Sequence, residues 1–405
     1  MAEIFLTALR LGGTSFGGPV AHLAYFRREC VVKRRWLDEE HYADLVALCQ
    51  FLPGPASSQT IFGLGYLQRG LAGGAAASLG FTLPSALLMI GFAYGVAALG
   101  GVGSAGWMQG LKVAAVAVVA QAVWAMGRSL CTDWPRRGLA LGAAALVLWL
   151  PQAWSQMAVI AAGAVLGWVT MKSAPGGGTV GPAGSGPRTP DPADPVVPPP
   201  FSGTLCLVLF FALLLALPVL ALMTANPWLG IFDRFYRAGA LVFGGGHVIL
   251  PLLEREVVAP GWLTHDQFLA GYGAAQAVPG PLFTLSGYLG TVMTRGPGGG
   301  LGAGWLGGAW AVLAIFLPAL LLVAGVLPFW QTLRHQPGAQ AALRGANVAV
   351  VGVLLAAFYD PVCTAGLTGG RAVALAAAGF IALQSGRVPA WAVVAAAAAL
   401  GGWLL

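Results

Sequence analysis

Arg10-Leu-Gly-Gly-Thr-Ser-Phe-Gly-Gly-Pro19 recurs without a gap as Arg237-Ala-Gly-Ala-Leu-Val-Phe-Gly-Gly-Gly246. The correspondence continues in order. Arg28-Glu29 falls on Arg255-Glu256. After one deletion Trp36-Leu37 meets Trp262-Leu263, Gln50 meets Gln276, and Pro53-Gly54-Pro55 meets Pro279-Gly280-Pro281. Further on, Phe81-Thr-Leu-Pro84 is similar to Phe316-Leu-Pro318, and Leu111 to Val119 is similar to Leu343 to Val351. Matched blocks in one order mark a duplicated chain. The halves are 1–172 and 203–405, and 173–202 is a Gly/Pro-rich stretch with too few apolar side chains to offset chain entropy, read as a flexible linker.

Composition sets the solvent. Apolar residues make up 58% of 405 and charged residues 9%, where a soluble surface takes roughly 25% charged residues. Mean hydropathy is +0.78. The expected fold is therefore all-α and polytopic. Spans of about 20 residues are expected at 71–100, 111–127, 203–223, 301–327 and 345–359, with tighter pairs at 138–171 and 371–405. The N-terminus shows no cleavable leader pattern: Ile4–Leu11 runs straight into the first motif. Cys30, Cys49, Cys131, Cys206 and Cys363 have neither C-x-x-C pairing nor metal-like spacing with histidine, and read as small apolar packing groups.

The excess of basic residues, 21 against 14 acids, sits in short loops, where it sets orientation in a membrane and implies no nucleic acid. Loop 27–36 holds Arg27, Arg28, Lys33, Arg34 and Arg35, whereas its partner 254–261 is mixed in charge. Conversely, 331–344 carries Arg334, His335 and Arg344 while 101–110 is uncharged. Opposite bias at equivalent loops is the mark of inverted repeats. Together with basic loop 128–137, it fits one arrangement if both motif-bearing segments of each half enter and leave on one side, as broken or re-entrant helices.

Gly-Gly-Pro and Pro-Gly-Pro interrupt helices. Inside a bilayer such breaks are tolerated only where protein or a watery cavity covers them, and paired breaks in two halves point to a transporter site. A helix starting there offers free N–H groups and partial positive charge to an anion. The expected binding residues are Phe16, Gly17, Gly18, Pro19, Gln50, Pro53, Gly54, Pro55, Ser57, Ser58 and Gln59 in the first half. In the second they are Phe243, Gly244, Gly245, Gln276, Pro279, Gly280, Pro281 and Thr284. Thr14, Ser15, Thr60 and Ser286 add hydroxyls beside the breaks. Each of these residues taken alone reads rather as helix packing; the duplicated set favours a site.

Lys112 and Arg344 occupy equivalent places and read either as cations that attract the anion or as loop-edge residues reaching the interface. Arg10 and Arg237 share that ambiguity. Asp44 faces Ala270 in the repeat, so a coupling-proton role there yields to a structural one. His22 and His247 follow the motifs at different offsets and read first as core or interface residues, with a pH role as the alternative. No catalytic constellation is present, so neither an enzyme nor a cofactor is expected, and no metal site either.

In this order, FGGP, Arg-Arg-Glu, Arg-Arg-Trp-Leu, Gln-Phe-Leu-Pro-Gly-Pro and Phe-Thr-Leu-Pro, repeated more loosely after the linker, the chain resembles the chromate ion transporter family in its long two-domain form, from about Ala8 to Asp360. The resemblance implies a secondary carrier in the inner membrane of a bacterium. It would export chromate from the cytoplasm, driven by membrane potential with or without proton antiport, and confer chromate resistance. Oppositely oriented halves are implied as well. Sulfate or another oxyanion is the alternative cargo; a scaffold or lipid-modifying enzyme is the more distant one. The partners expected are the oxyanion, the lipid bilayer and, in a homodimer, a second copy. Three departures stand out: Gly246 replaces the motif proline, Ala115 faces Asn347, and Ala-Ser-Ser-Gln follows the first PGP where Leu-Phe-Thr-Leu follows the second.

Overall fold

A computed structural model describes residues 1–98, 106–150, 155–171, 200–243, 248–295, 304–334 and 336–404. Of the expected linker 173–202, residues 173–199 lie outside them and 200–202 open the helix Pro200–Thr224; Gly244, Gly245, Gly246, His247 and His335 lie outside as well. No strand occurs among the described residues.

The first half comprises α1 (Ala2–Thr14), α2 (Gly18–Phe26), α3 (Glu39–Phe51), α4 (Ala56–Ala98), α5 (Gly106–Leu130), α6 (Trp134–Trp149) and α7 (Ser155–Thr170). Helix α8 (Pro200–Thr224) leads into the second half. There α9 (Pro227–Ala240), α10 (Ile249–Val257), α11 (His265–Ala275), α12 (Leu285–Arg295) and α13 (Gly304–Val326) repeat the first five stages of the fold, if α4 is counted as two arms. The short α14 (Trp330–Leu333) precedes α15 (Pro337–Ala357), and α16 (Thr364–Gly366) precedes α17 (Gly370–Gln384) and α18 (Ala390–Leu404).

Five of the described helical segments are long and apolar enough to cross a bilayer: Ala56–Ala98, Gly106–Leu130, Phe201–Thr224, Gly304–Leu333 and Pro337–Gly366. They match the spans expected from hydropathy, and the shorter pairs α6–α7 and α17–α18 match the tighter ones. Hydrocarbon explains the outer surface. Leu205, Val208, Phe211, Leu215 and Leu222 of α8 all stand exposed, which water would penalise and lipid tails do not. Exposed Trp134, Trp149 and Trp403 lie at helix ends, where amphipathic rings suit an interface.

Both motifs of the first half sit at the tips of helical hairpins. Arg34 pairs with Glu3 at 2.7 Å, so the chain leaving α2 returns to the start of α1. Helix α4 folds back on itself at Arg69 and Gly70, whose backbone angles are non-helical. Gly65 then packs on Gly73 and Phe62 on Gly74, so the two arms run antiparallel. Gln68 donates to the Trp36 carbonyl at 2.7 Å, closing the outer ends of this hairpin set. In the second half, Arg237 pairs with Glu256 at 3.0 Å across α9 and α10. Gly290 packs on Gly307 between α12 and α13.

The two long central helices pass each other in opposite directions. The N–H of Trp305, at the start of α13, donates to the Tyr94 hydroxyl near the end of α4 at 3.1 Å. Past the far end of α13, the Trp330 ring lies 5.4 Å from that of Phe51, and Arg334 pairs with Asp44 of α3 at 2.7 Å. The terminal hairpins are exchanged between halves. Gly163 and Gly167 of α7 meet Gly345 of α15, and Gly401 of α18 meets Gly106 and Gly110 of α5. Small residues at these seams let backbones approach, which is how helices associate without a hydrophobic drive in lipid. All four cysteines of α3, the π-helical turn Arg27–Lys33, α8 and the α5–α6 loop are buried, Cys363 is half-buried, and none of the five is in a disulfide.

Candidate functional site

A broken helix leaves amides and carbonyls without partners, and each costs several kcal/mol in an apolar medium. Here each half repairs the break in the other. The Gly54 N–H donates to the Val242 carbonyl at 2.6 Å, and the Gly280 N–H donates to the Ser15 carbonyl at 2.9 Å. Gly54 aligns with Gly280, and Val242 with Ser15, so the two bonds are equivalents in the repeat. Gly54 and Gly280 have φ of +122° and +95°, a region that L side chains rarely adopt. A Cβ at Gly54 would press on Ala319 and the Gln59 side chain; one at Gly280 would press on Ser85 and the Gly12 carbonyl. Ser85 and Ala319 follow the aligned prolines Pro84 and Pro318, which extends the equivalence to a second pair of contacts.

Beside the Ser15–Gly280 bond lies a cavity of about 110 Å³, several times the space one water needs. Its wall takes Ser15, Gly17, Gly18 and Pro19 from the first motif, His22 from α2, Pro55 from the first PGP and Ser57 from the start of α4. Gln276, Gly280, Pro281, Leu282 and Phe283 come from the second PGP, and Gln121 and Ala390 from α5 and α18. Among the described residues, no lining side chain carries a permanent charge.

The positive field comes from backbone instead. Helix α2 begins at Gly18 with Pro19 in its first turn, and α4 begins at Ala56 next to Pro55. The 3₁₀ turn Leu282–Thr284 leads into α12. Three helix starts thus border one cavity, each with N–H groups that have no intrahelical acceptor and a partial positive charge of about half an electron. Pro19 sits where its missing N–H costs nothing.

Side-chain polar groups complete the wall. The Ser15 hydroxyl, the Gln276 Nε2 and the His22 Nδ1 are buried and make no hydrogen bond. Burying unpaired polar groups is costly unless a ligand or water takes them up. The His22 Nε2 faces the Ser15 carbonyl at 3.2 Å, and its ring lies edge-on to Phe81 at 5.5 Å. The arrangement suits a small anion whose oxygens accept hydrogen bonds on several sides.

Gly17, Gly18, Pro19, Pro55, Ser57, Gln276, Gly280 and Pro281, all expected from sequence, come together here. Others of that set do not line the cavity. Phe16 packs on Trp391, with ring centroids 6.2 Å apart. Gln50 is exposed on α3, and Phe243 is half-buried. Gln59 donates to the Pro53 carbonyl at 2.8 Å, which braces Pro53 and Gly54 from behind. Thr284 donates to the Pro281 carbonyl at 2.8 Å. Ser58 is buried without a hydroxyl partner, and Pro279 is buried behind the wall. Gly244 and Gly245 lie outside the described residues.

The cations stand further off. Lys112 pairs with Asp266 at 2.9 Å, and Arg344 donates to the Met171 carbonyl at 2.9 Å. Arg237 is held by Asp233 and Glu256, while Arg10 is exposed on α1. Asp44 is paired with Arg334. By sequence His22 reads first as a core or interface residue, and no motif points to Gln121, Phe283 or Ala390. Their place on the wall depends on how α5 and α18 pack, which no motif spacing encodes.

Comparison with known proteins finds the duplication again. The profile of the chromate transporter family matches the chain twice, over residues 2–168 and 229–403. The chain is similar to a chromate transport protein of Pseudomonas aeruginosa, at 28% identity over 425 residues covering 100% of this chain and 92% of the relative. Similar too is a chromate transport protein of Cupriavidus metallidurans, at 28% identity with 88% and 81% covered. A probable chromate transport protein of Synechococcus elongatus is also 28% identical, with 86% and 81% covered. No solved structure matches the chain.

Proposed function

This chain belongs to the chromate transporter family, and from that premise we propose that it carries a tetrahedral oxyanion, chromate foremost, through the cavity beside Ser15 and Gly280. The observation that carries the reading is the pair of equivalent bonds, Gly54 to Val242 and Gly280 to Ser15, which bring both halves to one anion-suited cavity. The two halves lie inverted in the inner membrane of a bacterium. Support comes from the opposed directions of α4 and α13 and from the grouping of Arg34, Lys33 and Arg334 at one end of the molecule. That end faces the cytoplasm by the positive-inside rule.

Export is downhill electrically. One charge crossing the membrane potential is worth about 2.3 kcal/mol per 100 mV, so a dianion leaving a negative-inside cell gains about 4.6 kcal/mol per 100 mV. Rocking of one half against the other would open the cavity to each side in turn, and the cell would gain chromate resistance. Labelled chromate uptake into everted vesicles under an imposed potential tests the proposal, with sulfate as competitor. Potential-dependent accumulation is expected. Flux absent at every potential would end the reading.

A further inference from the structure

We propose that the central cavity takes up its oxyanion together with one proton, and that the His22 ring makes that proton necessary. The inference rests on the reading of the cavity as the oxyanion site. The Ser15 carbonyl can only accept, so the His22 Nε2 facing it at 3.2 Å carries a hydrogen. In the neutral ring the other nitrogen, Nδ1, is then a bare lone pair. Nδ1 is buried without any partner, on a residue that is 2% exposed and lines the cavity.

A fully deprotonated tetrahedral oxyanion offers only acceptors. Lone pair would face lone pair at Nδ1, in a medium where such contacts are poorly screened. One proton between them turns repulsion into a hydrogen bond. It can reside on the ring, as imidazolium beside the dianion, or on the anion, as a hydrogen oxyanion beside the neutral ring. Both have the same composition: one anion, one proton from bulk water. The bound complex then carries one negative charge fewer than the free dianion.

Among the described residues, nothing else on the wall titrates. His22 is the sole ionisable side chain among the lining residues. Its ring neighbours are Phe26 and Phe81. On the elements packed around α2, Tyr42 donates to the Leu23 carbonyl, Arg27 pairs with Glu39, and Glu3 and Glu29 pair with Arg34. Cys30 is buried in the π-helical turn, and Arg10 is exposed on α1. On α4, Tyr66 stacks on Phe62, Tyr94 stacks under Arg295, and Arg69 lies at the outer bend. Across the cavity, Lys112 of α5 and Asp266 of α11 neutralise each other.

The test is calorimetric titration of the full-length protein in lipid nanodiscs with potassium chromate at alkaline pH, in buffers of different ionisation enthalpy. These buffers count protons taken up per anion. Wild type is expected to bind about one proton per chromate, with Kd weakening about tenfold per pH unit. His22→Gln keeps a donor for the Ser15 carbonyl and removes the ring acceptor; it is expected to bind chromate with no proton uptake and a flat pH profile. Wild-type binding without proton uptake would overturn the inference while leaving the oxyanion site standing. Undiminished uptake in the variant would overturn it too. No chromate binding by wild type at any pH would strike the site itself. The wild-type proton count decides even if the variant is not recovered.

Discussion

The N–H of Gly280 and the carbonyl of Ser15 lie 2.9 Å apart, although 265 positions separate them in the chain (280 − 15). One end of this bond belongs to the second PGP and the other to the residue just before the first FGGP. It closes the wall of the cavity and satisfies two backbone groups that a broken helix would otherwise strand in an apolar medium.

Gly280→Ala tests that junction directly. The added Cβ would meet Ser85 and the Gly12 carbonyl at a backbone angle of +95°. Strain of this kind costs on the order of 1–3 kcal/mol. We expect reduced thermal stability of the detergent-solubilised protein and loss of most chromate flux. Retention of both would show that the junction is not tightly held.

Gln276→Leu removes an unpartnered buried donor from the wall and keeps the side-chain bulk. Hydrogen bonds to charged groups contribute about 1.5–3 kcal/mol, so chromate Kd should weaken about 10- to 100-fold. Stability should hold within about 1 kcal/mol, the weight of one neutral hydrogen bond, because the Gln276 side chain also lies against the Tyr272 hydroxyl. Equilibrium binding and a melting curve read the two effects separately.

Lys112→Met separates attraction from architecture. Lys112 is buried and paired with Asp266, whose side chain is half exposed, and it does not line the cavity. We expect a loss of about 1–2 kcal/mol in stability, in the range for a charge-assisted hydrogen bond with one solvated partner. Chromate Kd should stay within about twofold. A larger weakening would restore Lys112 as an anion-attracting cation.

Single cysteines at Lys33 and Ala259, in a background lacking the native ones, test inversion. The two positions occupy equivalent loops of the repeat. A membrane-impermeant maleimide should label Cys at 33 only from the cytoplasmic side and Cys at 259 only from the opposite side. Labelling of both from one side would exclude inverted halves.

Much of this protein is legible in its letters. Apolar runs long enough for a bilayer place the five long segments, because hydrocarbon demands about 20 helical residues whatever the neighbours are. The order of FGG and PGP blocks reveals the duplication, because a chain keeps its sequence record however it folds. Glycine and proline mark the breaks, because their effects are local to the backbone. Which break pairs with which is another matter. The repeat marks Gly54 and Gly280, and likewise Ser15 and Val242, as equivalents, but it does not say that the bonds cross between halves, Ser15 with Gly280 and Gly54 with Val242. That exchange, and the arrival of His22, Gln121 and Ala390 at one cavity, follow from how distant helices pack through glycine seams such as Gly110 on Ala397. Sequence determines where the helices break, since that is decided within a few residues. Only tertiary structure decides what each break faces, since buried amides take whichever acceptor the packed halves bring within reach.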